Sequence, residues 1–324
     1  MAFTKAIGAA ATALVLIANS AWAEMPVLKA AVLEIGTVNW ELDTIKHNGF
    51  DTANGFTLDV QGVAGGPAAQ VAFQGGEADV IVSDWLWVAR QRADGHDYVF
   101  VPYSKAVGGL LVKGDSPVQT LADLKGKKVG IAGGPLDKSW LILRAYAEQE
   151  YGMDLAAETE QVFGAPPLIF KTALQGETDG ATNFWHFMAK MEAAGMRSVI
   201  SVADAAQALG LDPETPLLGY VFKGEMLQEH PELVNGFAQA SRDAKHLLAD
   251  DQAAWDRLKD RMNVNNDAQF EALIAGYRAG IPSDAPVDEE AAGKMLALMA
   301  RLGGAELTGK ADTLPEGVFV QPGS

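Results

Sequence analysis

The sequence contains no cysteine. That excludes a disulfide framework, a thiol nucleophile and a lipid anchor carried on a cysteine. A 324-residue chain without cross-links must rely on a large core, and its 48% apolar and 21% charged composition is that of a globular protein. Histidine is scarce. His47, His96, His186, His230 and His246 are scattered, and no two have the spacing of metal ligands, so no metal site is expected. Positive charge is also short: the formal net charge is −17, which repels nucleic acid and anionic lipid and removes both as partners. No G-x-S-x-G elbow occurs, and no glycosidase pair can be singled out among so many acids. Asn263 to Glu271 lacks the spaced carboxylates and central glycine of a calcium loop and reads as a loop with a helix cap. No catalytic group and no cofactor is expected, and the chain is not read as an enzyme.

What is present begins with an export signal. Lys5 supplies a positive start, Ile7 to Ala18 is apolar but too short to span a bilayer, and Ala21-Trp22-Ala23 is a cleavage site. Residues 1–23 are expected to be removed, leaving Glu24 first. An exported protein without an anchor is best retained behind an outer membrane, so the expected location is the periplasm.

After residue 24, short apolar segments alternate with helical ones. Strands are expected at Pro26 to Ile35, Thr57 to Val63, Ala78 to Val82 and Tyr98 to Val101, with helices between them. Asn39 and Ser83 are the expected caps of the first and third helices, and Pro67 suits the first turn of the second. The pattern restarts near residue 105, with strands at Gly108 to Val112, Lys128 to Ile131, Thr159 to Val162, Gly180 to Thr182 and Ser198 to Val202. Leu217 to Phe222 is a last strand, and four amphipathic helices follow from Pro231 onward, for example through Val287, Ala291, Met295, Leu298 and Leu302. Such alternation implies α/β architecture with parallel sheets covered on both faces, and ligands then sit beyond the carboxyl ends of the strands. The C-terminal helices have no strands of their own and are expected to pack back on the first unit.

The loop from Gly130 to Trp140 invites a phosphate-binding reading, but Asp137 stands immediately before Lys138 where that motif needs glycine. Gly133 and Gly134 are read instead as letting backbone approach a cleft, with Asp137 capping the next helix or touching ligand. Five of the seven tryptophans, Trp40, Trp85, Trp87, Trp140 and Trp185, fall in the strand-end loops, interspersed with Glu41, Asp84 and Asp137. Aromatic faces beside carboxylates suit a cationic or heteroaromatic solute. Trp40, Trp85 and Trp140 are expected to wall the ligand, Glu41, Asp84, Asp137 and Asn183 to orient it, and Gly65, Gly66, Gly133 and Gly134 to offer backbone donors. Core packing or capping is the alternative for each of these residues.

Several segments together carry a family likeness: Gly65-Gly66-Pro67, Phe73 to Val80, Ser83-Asp84-Trp85, Ser116 to Gly130, Leu174 to Gly180 and Glu229 to Val234. In their order and spacing the chain resembles periplasmic solute-binding proteins of the nitrate/sulfonate/taurine type, the binding components of ABC importers. The resemblance implies a type II periplasmic binding fold: two doubly wound α/β lobes joined by a two-strand hinge, with C-terminal helices packed on the first lobe. Lobe I would comprise residues 24–104 and 213–324, and lobe II residues 105–212. The crossings would fall near Tyr103 to Val107 and Ala203 to Leu217. The family's ligand contacts map here to Thr37, Asn39, Trp40 and Glu41; to Gly65, Gly66 and Pro67; to Ser83, Asp84 and Trp85; to Gly134, Asp137, Lys138, Ser139 and Trp140; and to Asn183, Trp185 and His186. The implied partners are a small-molecule solute and an inner-membrane permease with its ATPase, engaged by a monomer. One rival reading is an anion receptor, for an alkylsulfonate or nitrate, that uses Lys138 and helix N-termini. Another is an enzyme of the thiamine-precursor type, which shares the fold.

Overall fold

The computed structural model describes residues 25–320, so the expected signal peptide and its cleavage site lie outside the described residues. The first lobe opens with β1 (Val27–Leu33), α1 (Val38–Asn48), α2 (Phe50–Ala53), β2 (Thr57–Val63), α3 (Gly66–Gln74), β3 (Val80–Asp84), α4 (Trp85–Ala93) and β4 (Tyr98–Ser104). The second lobe holds β5 (Gly109–Lys113), β6 (Lys128–Ala132), α5 (Lys138–Tyr151), α6 (Leu155–Glu158), β7 (Glu160–Gly164), α7 (Pro166–Gln175), β8 (Gly180–Thr182), α8 (Trp185–Ala193), β9 (Met196–Ser201) and α9 (Val202–Ala208). The chain then returns to the first lobe through β10 (Leu218–Lys223), α10 (Gly224–Glu229), α11 (Pro231–Asp250), α12 (Gln252–Leu258), α13 (Asp267–Ala279) and α14 (Glu289–Thr308).

Each lobe is built on a five-stranded sheet, ordered β2-β1-β3-β10-β4 in the first and β7-β6-β8-β5-β9 in the second. The sheets are mixed, which corrects the expectation of parallel ones. β1 runs parallel to β2 and β3, and β6 parallel to β7 and β8, whereas β10 and β5 are antiparallel to both of their neighbours. The reason is topological. β5 and β10 are the strands that enter a lobe from the other one, so they start at the cleft and run away from it, while their neighbours run toward it.

The helices follow from capping and amphipathic pattern. α11 turns Val234, Phe237, Ala238, Ser241, Ala244, Lys245 and Leu248 inward at three- and four-residue spacing, which is one helical face. It packs on α1 and α2. The core of the first lobe includes Leu28, Val32, Ile45, Phe56, Tyr220, Phe222 and Phe237 on this side of its sheet. The C-terminal helices also reach further than expected. α14 lies against α4 and α5, so that Met295, Leu296 and Met299 share one cluster with Trp85 of the first lobe and Trp140 of the second. α13 packs on α8 of the second lobe. Gly276 permits that contact, since a Cβ there would lie 2.7 Å from the Trp185 ring. Among the described residues no helix is long and apolar enough to cross a membrane.

Candidate functional site

A cavity of about 350 Å³ lies between the two lobes. Its wall is largely apolar, with Leu33, Val38, Val82, Val107, Phe184 and Leu218 contributing. The carboxyl ends of β1, β3 and β8 open onto it, as do the starts of α1, α3, α5 and α8, so both lobes supply residues.

Ten of the residues expected at the site line this cavity: Thr37, Gly66, Ser83, Asp84, Asp137, Lys138, Ser139, Asn183, Trp185 and His186. Asp84 ends β3 in extended conformation. Its Oδ1 accepts the Trp87 N–H at 2.9 Å and caps α4, a role assigned above to Ser83, which instead lies within β3. The other oxygen, Oδ2, accepts from Lys138 Nζ at 2.9 Å, an ion pair that crosses the cleft from lobe to lobe. Asp137 Oδ1 caps α5 through the Trp140 N–H at 3.0 Å. Burial raises the Asp137 pKa, although this N–H and Lys138 both favour its charge. Burial works against the Lys138 ammonium, but the Asp84 carboxylate outweighs it and the pKa is raised. Gly133 and Gly134 adopt φ of 94° and 126°, a region open mainly to glycine, and so turn the chain from β6 into α5. Asn183 is buried. Its Nδ2 donates to the Pro166 carbonyl and its Oδ1 accepts from the Phe184 N–H, which fixes the approach to α8.

The remaining expected contacts are elsewhere. Trp85 and Trp140 are 0% and 1% exposed in the core, and Trp40 is buried against Trp255, Trp185 and Tyr277. The aromatic wall of Trp40, Trp85 and Trp140 is therefore not formed, and of the five strand-end tryptophans Trp185 alone lines the cavity. The physical reason is position. Trp85 and Trp140 occupy the first turns of α4 and α5, whose inner faces already lie over the sheet at that point. Glu41 is fully buried and does not line the cavity. Asn39 does not cap α1; its amide donates to the Leu33 and Gly36 carbonyls at 2.8 Å and ties down the β1–α1 turn. Gly65 and Pro67 shape the start of α3 without lining the cavity, and Gly134 is confined to its turn.

Residues on the crossings complete the floor: Tyr103, Ala106, Val107 and Gly108 on one and Leu217 and Leu218 on the other. Both crossings, expected only as hinge, thus also line the cavity. Tyr103 OH lies 3.3 Å from Thr37 Oγ1, and burial, reinforced by Glu41, keeps the phenol neutral. α1, α3 and α8 have no side-chain cap at their N-termini, in contrast to α4 and α5.

His186 Nε2 is buried without a hydrogen-bond partner among the described residues. Burial, aided by the charge of Lys190, pushes the imidazole pKa down to about 3. In the unfolded chain the group titrates near 6.5, so there it binds more protons over the interval between the two values. Its stabilising contribution is complete above about pH 6.5 and is lost as pH falls toward 3. Relative to His186→Gln, the unaltered protein is expected to lose about 2 kcal/mol between pH 7 and pH 5 in urea unfolding. Superimposable acid profiles for the two proteins would show that the imidazole is not held neutral.

Comparison with known proteins places this geometry in context. A family model described as NMT1/THI5 like matches residues 44–254. No curated protein matches the sequence. Among solved structures, the periplasmic aliphatic sulphonate binding protein SsuA from Escherichia coli is similar with a TM-score of 0.71 and 19% identity, over 91% of this chain and 92% of that one. The alkanesulfonate-binding protein SsuA from Xanthomonas axonopodis pv. citri, bound to MOPS, has a TM-score of 0.67 and 18% identity over 93% and 98%. A DszB variant in complex with biphenyl-2-sulfinic acid follows at 0.55 and 16%, over 91% and 98%. At these identities the likeness shows a shared fold.

Proposed function

Since this chain belongs to the NMT1/THI5-like family, we propose that it is the periplasmic binding component of an ABC importer, and that it captures a small organic anion of the alkylsulfonate class. The observation that carries the reading is the inter-lobe cavity, where an apolar wall meets three uncapped helix starts. Helix starts favour a negative group through the helix dipole and the N–H groups not already taken, although in α1 Asn39 and Trp40 donate to the Gly36 and Thr37 carbonyls and in α3 Pro67 has no N–H, and the apolar wall suits an organic body. The sulfonate-binding neighbours of the same fold support this choice. With Trp40, Trp85 and Trp140 in the cores, the cationic or heteroaromatic alternative loses the aromatic wall on which it rested.

In this reading residues 24–104 and 213–324 form one lobe, residues 105–212 the other, and the two close about the crossings like a hinge. A permease and its ATPase would receive the solute from a monomeric receptor. Binding without chemical change is supported by the carboxylates at the cavity. Asp84 is committed to a cap and to Lys138, and Asp137 to a cap, so neither is placed as a free base.

The test is a thermal and calorimetric panel on the protein lacking residues 1–23. It should include short alkanesulfonates, nitrate, and cationic and neutral heterocycles. An alkanesulfonate at about 100 times its Kd is expected to add about 2.7 kcal/mol of stability. Stabilisation by heterocycles alone would return the weight to the alternative class. Turnover of a bound compound would overturn the receptor reading.

A further inference from the structure

Asp84 and Lys138 are 54 residues apart in sequence and belong to different lobes, yet they meet at 2.9 Å beside the cavity that both of them line. The two side chains are 16% and 26% exposed. Lys138 occupies the first position of α5, where the helix dipole disfavours a cation, so it depends on neighbouring acids. The charged groups that act on it are Asp84 and Asp137 and, opposing them, Arg90. Asp84 is fixed in turn by its capping bond to Trp87. A ligand anion that took Lys138 would have to displace the Asp84 carboxylate. It would then share a partly dehydrated cavity with an unpaired negative charge, which is costly. The uncapped starts of α1, α3 and α8 line the same cavity, and the one acid in their first turns, Glu41 of α1, is fully buried and paired with Lys245.

We propose that Asp84 is the specificity-determining residue of this cleft: it holds Lys138 across the lobes and keeps the ammonium off the ligand, whose anionic group goes to the uncapped helix starts. The proposal rests on the organic-anion reading of the site. Its consequence is that Lys138, the obvious cation for a sulfonate, serves lobe closure, and that charge discrimination depends on the balance within the pair.

The experiment uses Asp84→Asn, which retains a capping side chain, together with Lys138→Met and the double variant. The probes are 1-pentanesulfonate and its neutral isostere pentane-1-sulfonamide. The ratio of their Kd values reads charge preference and cancels effects on closure common to both. Asp84→Asn is expected to shift the ratio toward the sulfonate on the order of 10-fold, and Lys138→Met away from it by a similar factor, as for a unit charge a few ångströms away at intermediate dielectric. The double variant should return to within about 3-fold of the unaltered protein. A double variant as poor for sulfonate as Lys138→Met alone would make Lys138 the ligand's own cation and overturn the proposal.

A ligand-free measurement separates this outcome from failure of the underlying reading. The Lys138 Nζ titration, followed by NMR, should lie above that of an ordinary lysine and fall below it in Asp84→Asn, where burial prevails. An ordinary titration in the unaltered protein overturns the pairing whatever the ligand. If neither probe binds the unaltered protein, the sulfonate reading fails, and the titration alone decides the claim about the pair.

Discussion

Glu41→Ala is expected to lower the stability of the folded protein by about 4 kcal/mol, a large share of the roughly 5–15 kcal/mol that holds a typical domain together. Glu41 is 0% exposed, and its two oxygens accept four hydrogen bonds. Oε1 receives Tyr220 OH at 2.7 Å, Ser241 Oγ at 2.6 Å and Lys245 Nζ at 3.0 Å, while Oε2 receives Tyr277 OH at 2.9 Å. These partners come from β10, α11 and α13, so one carboxylate on α1 ties together segments up to 236 residues apart. Removing it leaves three hydroxyls and an ammonium buried without their acceptor. Lys245 is the sensitive member. Burial pushes its pKa down and Glu41 works in the opposite direction, while the Tyr103 and Tyr220 rings lie 5.3 and 5.6 Å from its Nζ. Lys245→Met should therefore cost less in a Glu41→Gln background than alone, because the two residues form one network. Urea unfolding with an unchanged m-value is the measurement. A loss below about 1 kcal/mol for Glu41→Ala would mean that water enters and replaces the network.

The same residue marks what local pattern can and cannot reveal. Glu41 sits four positions after Thr37, close to a strand end, and on sequence alone that is a ligand-facing address. Its burial depends on Lys245 and Tyr277, more than 200 positions away, and no local signal announces them. The alternation of strands and helices was legible: Thr57–Val63 and Gly180–Thr182 match the expected bounds residue for residue, and the long helix α11 begins at the expected Pro231. Strand direction was not legible in β5 and β10, because an apolar run reads alike either way. The candidate site was legible as a set of strand-end turns, since chain geometry alone carries those turns to the cleft. Which side chain in a turn faces ligand was decided by helix phase. At the cap of α4 Asp84 lines the cavity while the adjacent Trp85 ring goes under the helix, and at the start of α5 Asp137 and Trp140 divide in the same way.

That division sets the second large effect, a contrast between two tryptophans. Trp185→Ala is expected to weaken solute binding by about 30-fold or more, and Trp140→Ala to leave affinity within about 3-fold while removing about 4 kcal/mol of stability. Trp185 begins α8 and lines the cavity with one part of its surface. Elsewhere its ring makes a T-shaped contact with Trp40 of the first lobe, centroids 6.1 Å apart, and covers Gly276 of α13. Its removal therefore takes away a wall of the site together with a contact between lobes, so both ligand burial and closure suffer. Trp140 is also large and stands near the same cleft, but it is 1% exposed and clusters with residues of the interior. Deleting it leaves a cavity in the core, and the cost appears in unfolding rather than in binding. The two variants should be titrated at a temperature where both remain folded, with urea unfolding alongside. Equal affinity losses in the two would mean that the cleft extends under α5, and the assignment of lining and core along that helix would have to be redrawn. If Trp185→Ala binds as well as the unaltered protein, solute does not occupy the inter-lobe cavity, and the receptor reading loses its site.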